Sequence, residues 1–137
     1  MTIRSVLLVD DDLDDQDIFR TALSEVAASV ELATANNGED ALQKLHGNSH
    51  YPDIIFLDIN MPVLNGFDTL AQIKKDDTIK GIPVFIYTTS ARQEDIEKAK
   101  ELGAVDCVRK PSDFGELCRF IGSVLNTPSQ ATPGRMA

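Results

Sequence analysis

Short apolar runs alternate with stretches of helical period five times along the chain. The runs Val6–Val9, Val30–Ala35, Ile54–Leu57, Pro83–Tyr87 and Val105–Val108 have strand length. Helical spacing predicts helices over Asp14–Ala27, Asn37–Leu45, Gly66–Lys75, Arg92–Leu102 and Asp113–Leu125. The last carries an apolar stripe of Phe114, Leu117, Cys118, Ile121, Val124 and Leu125. Ser90 with Gln93 and Asp113 with Glu116 have capping-box spacing, and Gly103 stands where a helix C-terminal glycine is expected. Strict alternation of strand and helix implies right-handed crossovers and a parallel sheet with helices on both faces. The first, third and fourth runs are unbroken and should be central, because strands buried on both faces read as continuous apolar segments. The second and fifth admit Glu31 and Asp106 and should be edges. The expected fold is therefore α/β, a flavodoxin-like doubly wound sheet of five strands in the order 2-1-3-4-5. Ligands of such sheets bind outside the carboxyl ends of the strands, at the crevice where the winding reverses between strands 1 and 3.

The 137 residues suit one domain, expected over residues 3–126, with a disordered tail over 127–137 that has two prolines and no apolar period. A net charge of −9, from 22 acidic and 13 basic residues, disfavours nucleic acid and anionic membrane surfaces as partners. The apolar segment at the amino terminus is too short for a signal peptide or a membrane span, so a cytoplasmic location is expected. Cys107 and Cys118 have neither metal-ligand nor disulfide-framework spacing and read as small apolar residues. His46 and His50 read as surface residues.

The residues just past the strand ends should meet in space. These are Asp10, Asp11 and Asp12 after the first strand, Asp58 after the third, Thr88 and Thr89 after the fourth and Lys110 after the fifth. Carboxylates gathered in one pocket repel one another, and hard oxygen donors with access to water suit Mg²⁺. Asp14, Asp15 and Asp17 are expected only to stabilise the start of a helix. Asp10, Asp11 and Asp58 differ, since each follows a buried run where an unpaired carboxylate is costly.

Val9-Asp10-Asp11-Asp12, the segment Pro52 to Pro62 with Asn65-Gly66, Ile86-Tyr87-Thr88-Thr89-Ser90 and Val108-Arg109-Lys110-Pro111 together resemble the receiver domain of two-component response regulators. The finer pattern is similar to stand-alone regulators associated with phytochrome-type kinases. The resemblance implies that Asp58 accepts a phosphoryl group from a kinase phosphohistidine. It implies that Asp11 binds Mg²⁺ directly, Asp10 through water, and that Asp58 and the backbone carbonyl of Asn60 complete the protein ligands. Thr88 and Lys110 would each hold a phosphoryl oxygen. An ionised carboxylate needs no general base, and positioning with charge neutralisation accounts for most of phosphoryl-transfer catalysis. The only chemistry implied is thus transfer to, and hydrolysis from, the protein's own Asp58. Implied partners are a sensor histidine kinase or a histidine phosphotransfer protein, together with a downstream protein target, and the pattern leaves room for a homodimer. Pro111 resembles the family's cis-proline, and Gly66 would give the backbone freedom to turn into the third helix.

One position departs from the family. Where many members carry a tyrosine or phenylalanine that swings as the threonine moves, this chain has Cys107, which leaves Thr88, the loop behind it and Tyr87 to carry a switch. Rival readings fit less well. A flavodoxin-type electron carrier needs an anion-cradling loop where three aspartates stand. An aspartate-based phosphohydrolase needs Thr or Val at Asp14, and an EF-hand needs glycine at Asp15 and glutamate at Thr21. A constitutive adaptor on the same fold would have no use for the complete pocket.

Overall fold

The computed structural model describes residues 3–47 and 51–125. The expected tail and His50 lie outside the described residues. The chain runs β1 (Ser5–Val9), α1 (Leu13–Val26), β2 (Glu31–Ala35), α2 (Gly38–Gly47), β3 (Ile54–Leu57), α3 (Gly66–Lys75), β4 (Val84–Thr88), α4 (Gln93–Glu101), β5 (Asp106–Arg109) and α5 (Phe114–Leu125). The strands form one parallel sheet in the order β2-β1-β3-β4-β5, the order expected from which runs are unbroken.

Alternation along the strands sorts the core into two layers. Leu7, Val9, Ile55, Leu57, Val84 and Ile86 face α2, α3 and α4, where they meet Leu45, Leu70, Ile73 and Ala99. Val6, Leu8, Ile54, Phe56, Phe85 and Tyr87 face α1 and α5, where they meet Phe19, Leu23, Leu117 and Ile121. The second layer is rich in rings: Phe56 lies 5.3 Å from Phe19, and Tyr87 stacks on Phe120 of α5 at 6.1 Å. Each such side chain taken out of water contributes about 2 kcal/mol, so the sheet is held from both faces. The predicted stripe on α5 buries Leu117, Ile121 and Val124 but leaves Phe114, the first residue of the helix, exposed. Cys107 and Cys118 are half-buried against opposite layers.

Helix ends differ from expectation in places. The N-cap of α4 is Arg92, whose amide donates to the Asp95 carboxylate at 3.0 Å, so Ser90 does not cap it. Asp113 accepts from the Glu116 amide as the spacing predicted. Gly103 after α4 has φ +105, a left-handed conformation that costs a side chain about 1–2 kcal/mol. Gly103→Ala is therefore expected to lower unfolding stability by about 1 kcal/mol, read as a shift of the urea midpoint with unchanged slope. His46 is exposed and bridges to Asp76 at 2.7 Å. Thr78's hydroxyl and amide, and then His46, hold the Asp76 carboxyl down to about 2. That depressed value favours the fold above the ordinary carboxylate range, and the contribution is lost as pH falls toward 2. Among the described residues, no helix is long and apolar enough to cross a membrane.

Candidate functional site

Parallel strands end together, so β1, β3, β4 and β5 deliver their next residues to one place. Asp10 and Asp58 are buried at 0% and 6% exposure, while Asp11 faces solvent beside them. One carboxylate oxygen each from Asp10, Asp11 and Asp58 lies within 4.8 Å of the others. The Lys110 ammonium reaches in from β5, donating to Asp10 at 2.6 Å, Asp15 at 2.9 Å and Asp58 at 3.2 Å. Its backbone is fixed by the Lys110 amide, which donates to the Thr88 carbonyl at 2.7 Å. The lysine side chain is buried, and its Nζ lies 5.6 Å from the centroid of the Tyr87 ring.

The two buried charges are poised by opposing effects. Burial pushes the Asp10 carboxyl above its usual range, and the hydrogen bonds from Lys110 and the Asp12 amide only partly offset this. Burial also disfavours the Lys110 ammonium, but its hydrogen bonds to Asp10 and Asp15 and the nearby charge of Asp58 more than compensate, holding it above the usual lysine value. The Tyr87 phenol is likewise pushed up by burial and stays protonated at neutral pH.

On the other side of Asp58 the donors converge. The Asn60 amide donates to Asp58 Oδ1 at 3.0 Å, and Asn60 Nδ2 donates to Thr88 Oγ1 at 3.2 Å. Thr88 is wholly buried, and its hydroxyl leans toward the Ser90 carbonyl at a long 3.4 Å. The loop after Asp58 turns sharply at exposed Val63, where the Leu64 amide donates to the Pro62 carbonyl and φ is +70. A β-branched residue adopts that conformation only under strain. Gly66 serves a purpose other than the expected freedom to turn. A Cβ there would fall 2.3 Å from the Asp58 carbonyl oxygen and 2.5 Å from Ile59 Cα, so glycine is required by close approach. The expected cis bond before Pro111 is also overturned, since no cis peptide occurs among the described residues. Lys110 reaches the acids with a trans bond, aimed by the ladder contact to Thr88.

Two participants were not foreseen. Asp15, expected only to stabilise the helix start, points across to Lys110. The N-cap is Asp12 instead, which accepts from the amides of Asp14 and Asp15 at 2.9 and 3.2 Å. Gln16 is buried and ties Asp10 to the β2 end, donating to the Asp10 carbonyl at 2.6 Å and to Asn36 Oδ1 at 2.9 Å. The position of Gln16 on the inner face of α1, three residues before Phe19, was the signal available for it.

A doubly wound sheet that brings three acids and one lysine together at its carboxyl edge defines the receiver class. The chain belongs to the response regulator receiver domain family, whose model matches residues 6–121. It is 43% identical over 122 residues to the transcriptional regulatory protein CpxR homolog of Haemophilus influenzae, covering 88% of this chain and 49% of that protein. The chain spans about half the length, or less, of the first curated relatives it matches. Among solved structures it is similar to the phosphorylated cyanobacterial phytochrome response regulator RcpA, with TM-score 0.84 at 27% identity over 96% of this chain and 99% of that one. It is also similar to the Mn²⁺-bound form of response regulator Rcp1, with TM-score 0.81 at 27% identity over 95% and 99% of the two chains.

Proposed function

We propose that this chain is a cytoplasmic receiver that takes a phosphoryl group onto Asp58 and signals by protein contact or by relaying the group onward. The observation that carries this reading is the convergence of Asp10, Asp11 and Asp58 with the single ammonium of Lys110. An Asp58 oxygen attacks phosphorus, the bond from phosphorus to the donor's imidazole nitrogen breaks, and that nitrogen keeps the electron pair. Asp58 attacks as the carboxylate, so no proton has to be removed. Lys110 and Thr88 hold phosphoryl oxygens, which places a full charge and a hydroxyl where negative charge accumulates. The donor is a sensor histidine kinase or a histidine phosphotransfer protein.

The donor set fits a hard divalent cation. Three carboxylate oxygens within 4.8 Å are close to the spacing of an octahedral oxygen shell, and exposed Asp11 leaves room for water. Asp10, Asp11, Asp58 and the Asn60 carbonyl would hold Mg²⁺, which when bound supplies charge neutralisation for the transferred group. The similarity to a Mn²⁺-bound form of Rcp1 supports a divalent ion as a ligand of this chain.

Incubation with Mg²⁺ and an acyl phosphate should add one acid-labile phosphate, located by peptide mapping at Asp58; absence of any uptake would remove the proposal. Mg²⁺ affinity should weaken on acidification from a pH above the ordinary carboxylate range, because burial makes Asp10 take up its proton early and a protonated acid is a poor ligand. Calorimetric titrations at pH 8, 6.5 and 5 would show it. Thr88→Ala should retain phosphate uptake yet lose the response of α4, β5 and α5. Amide exchange over these elements that still changes on phosphorylation in the variant would assign the switch elsewhere.

A further inference from the structure

We infer that Asp15 is a positioning residue for phosphoryl transfer: it anchors the Lys110 ammonium while that group passes from Asp10 and Asp58 to the incoming phosphoryl oxygen. The inference rests on the proposed phosphoacceptor role of Asp58.

An ammonium has three N–H donors, and here all are engaged, by Asp10, Asp15 and Asp58. Two of these acceptors change in the reaction. Asp10 and Asp58 belong to the triad able to take a cation, and Asp58 is also the atom source for the new bond. Both therefore have competing claims on their oxygens when charge enters the pocket. Asp15 is outside that triad and keeps its oxygens free for Lys110 throughout. It is held in place for this, since its amide is bound by Asp12 Oδ1 at 3.2 Å in the first turn of α1. Its side chain is 31% exposed against 7% for Lys110, so it keeps contact with water while gripping a buried cation. Without Asp15 the four-carbon stem of Lys110 would lose the one carboxylate that stays constant across the step, and the ammonium would spend less time at the transferring group.

Three proteins distinguish this from a general charge effect: the unaltered chain, Asp15→Asn and Asp14→Asn. Asp14 shares the first turn, is exposed and has no contact with Lys110, so its variant removes the same charge from the helix start. Phosphate uptake from an acyl phosphate is measured against donor concentration, and Mg²⁺ affinity by calorimetry. Asp15→Asn is expected to lower the maximal rate about tenfold, with the half-saturating donor concentration and Mg²⁺ affinity within twofold of the unaltered chain. Asp14→Asn is expected to change neither. Equal rates for Asp15→Asn and the unaltered chain, or equal slowing in both variants, would overturn the anchoring role while leaving Asp58 as acceptor. A fall in Mg²⁺ affinity matching the fall in rate would also overturn it, making Asp15 a ligand. Failure of the unaltered chain to take up phosphate would instead remove the underlying function, and the anchor with it.

Discussion

Asp58→Asn is expected to gain no acid-labile phosphate under conditions that load the unaltered chain fully. An amide oxygen is neutral and a poor nucleophile toward phosphorus, and Asp58 is the acid that the Asn60 amide holds beside Thr88. Folding should survive the change. The Asn60 amide can still donate to the remaining side-chain oxygen, and β3 keeps its pairing with β1 and β4. Intact mass and a urea melt on the same sample separate lost chemistry from lost structure. Full uptake by the variant would move the acceptor to another acid, Asp11 being the exposed candidate.

Removing Lys110 is expected to have two effects of opposite sign. In Lys110→Ala without metal, Asp10 is left ionisable, fully buried and without a cation, and breaking such a pair costs about 3–5 kcal/mol. That loss should appear as a large fall in the urea midpoint at neutral pH. Divalent affinity should rise on the order of tenfold or more, because the ammonium no longer competes for the same carboxylates. Added Mg²⁺ should therefore restore most of the stability, by mass action, while phosphate uptake stays about a hundredfold slow. A variant as stable as the parent in chelator, with unchanged Mg²⁺ affinity, would mean that Lys110 does not hold the acids together in solution.

Much of this architecture could be read from residue order. Unbroken Leu7-Leu8-Val9, Ile54 to Leu57 and Val84-Phe85-Ile86 mark central strands because both their faces are covered. The acids following two of them stood out because burial makes an unpaired carboxylate expensive. What escaped reading shares one cause, which is direction in space. Asp15 obeys the usual preference for acids at a helix start, and nothing in its neighbourhood along the chain announces a lysine 95 positions away. Arg92 in place of Ser90 as the α4 cap, and exposed Phe114 in the apolar stripe, depend on where a helix begins relative to the sheet. Gly66 was legible as special, but its reason was proximity to Asp58 rather than torsional freedom.

That proximity reaches beyond this one molecule. With no space for even a methyl group between the first residue of α3 and the backbone of Asp58, the two behave as a welded joint. Chimaeras that graft a foreign third helix should keep residues 58 to 66 as a single cassette, within which a substitution at Val63, exposed at the solvent tip, is expected to be tolerated.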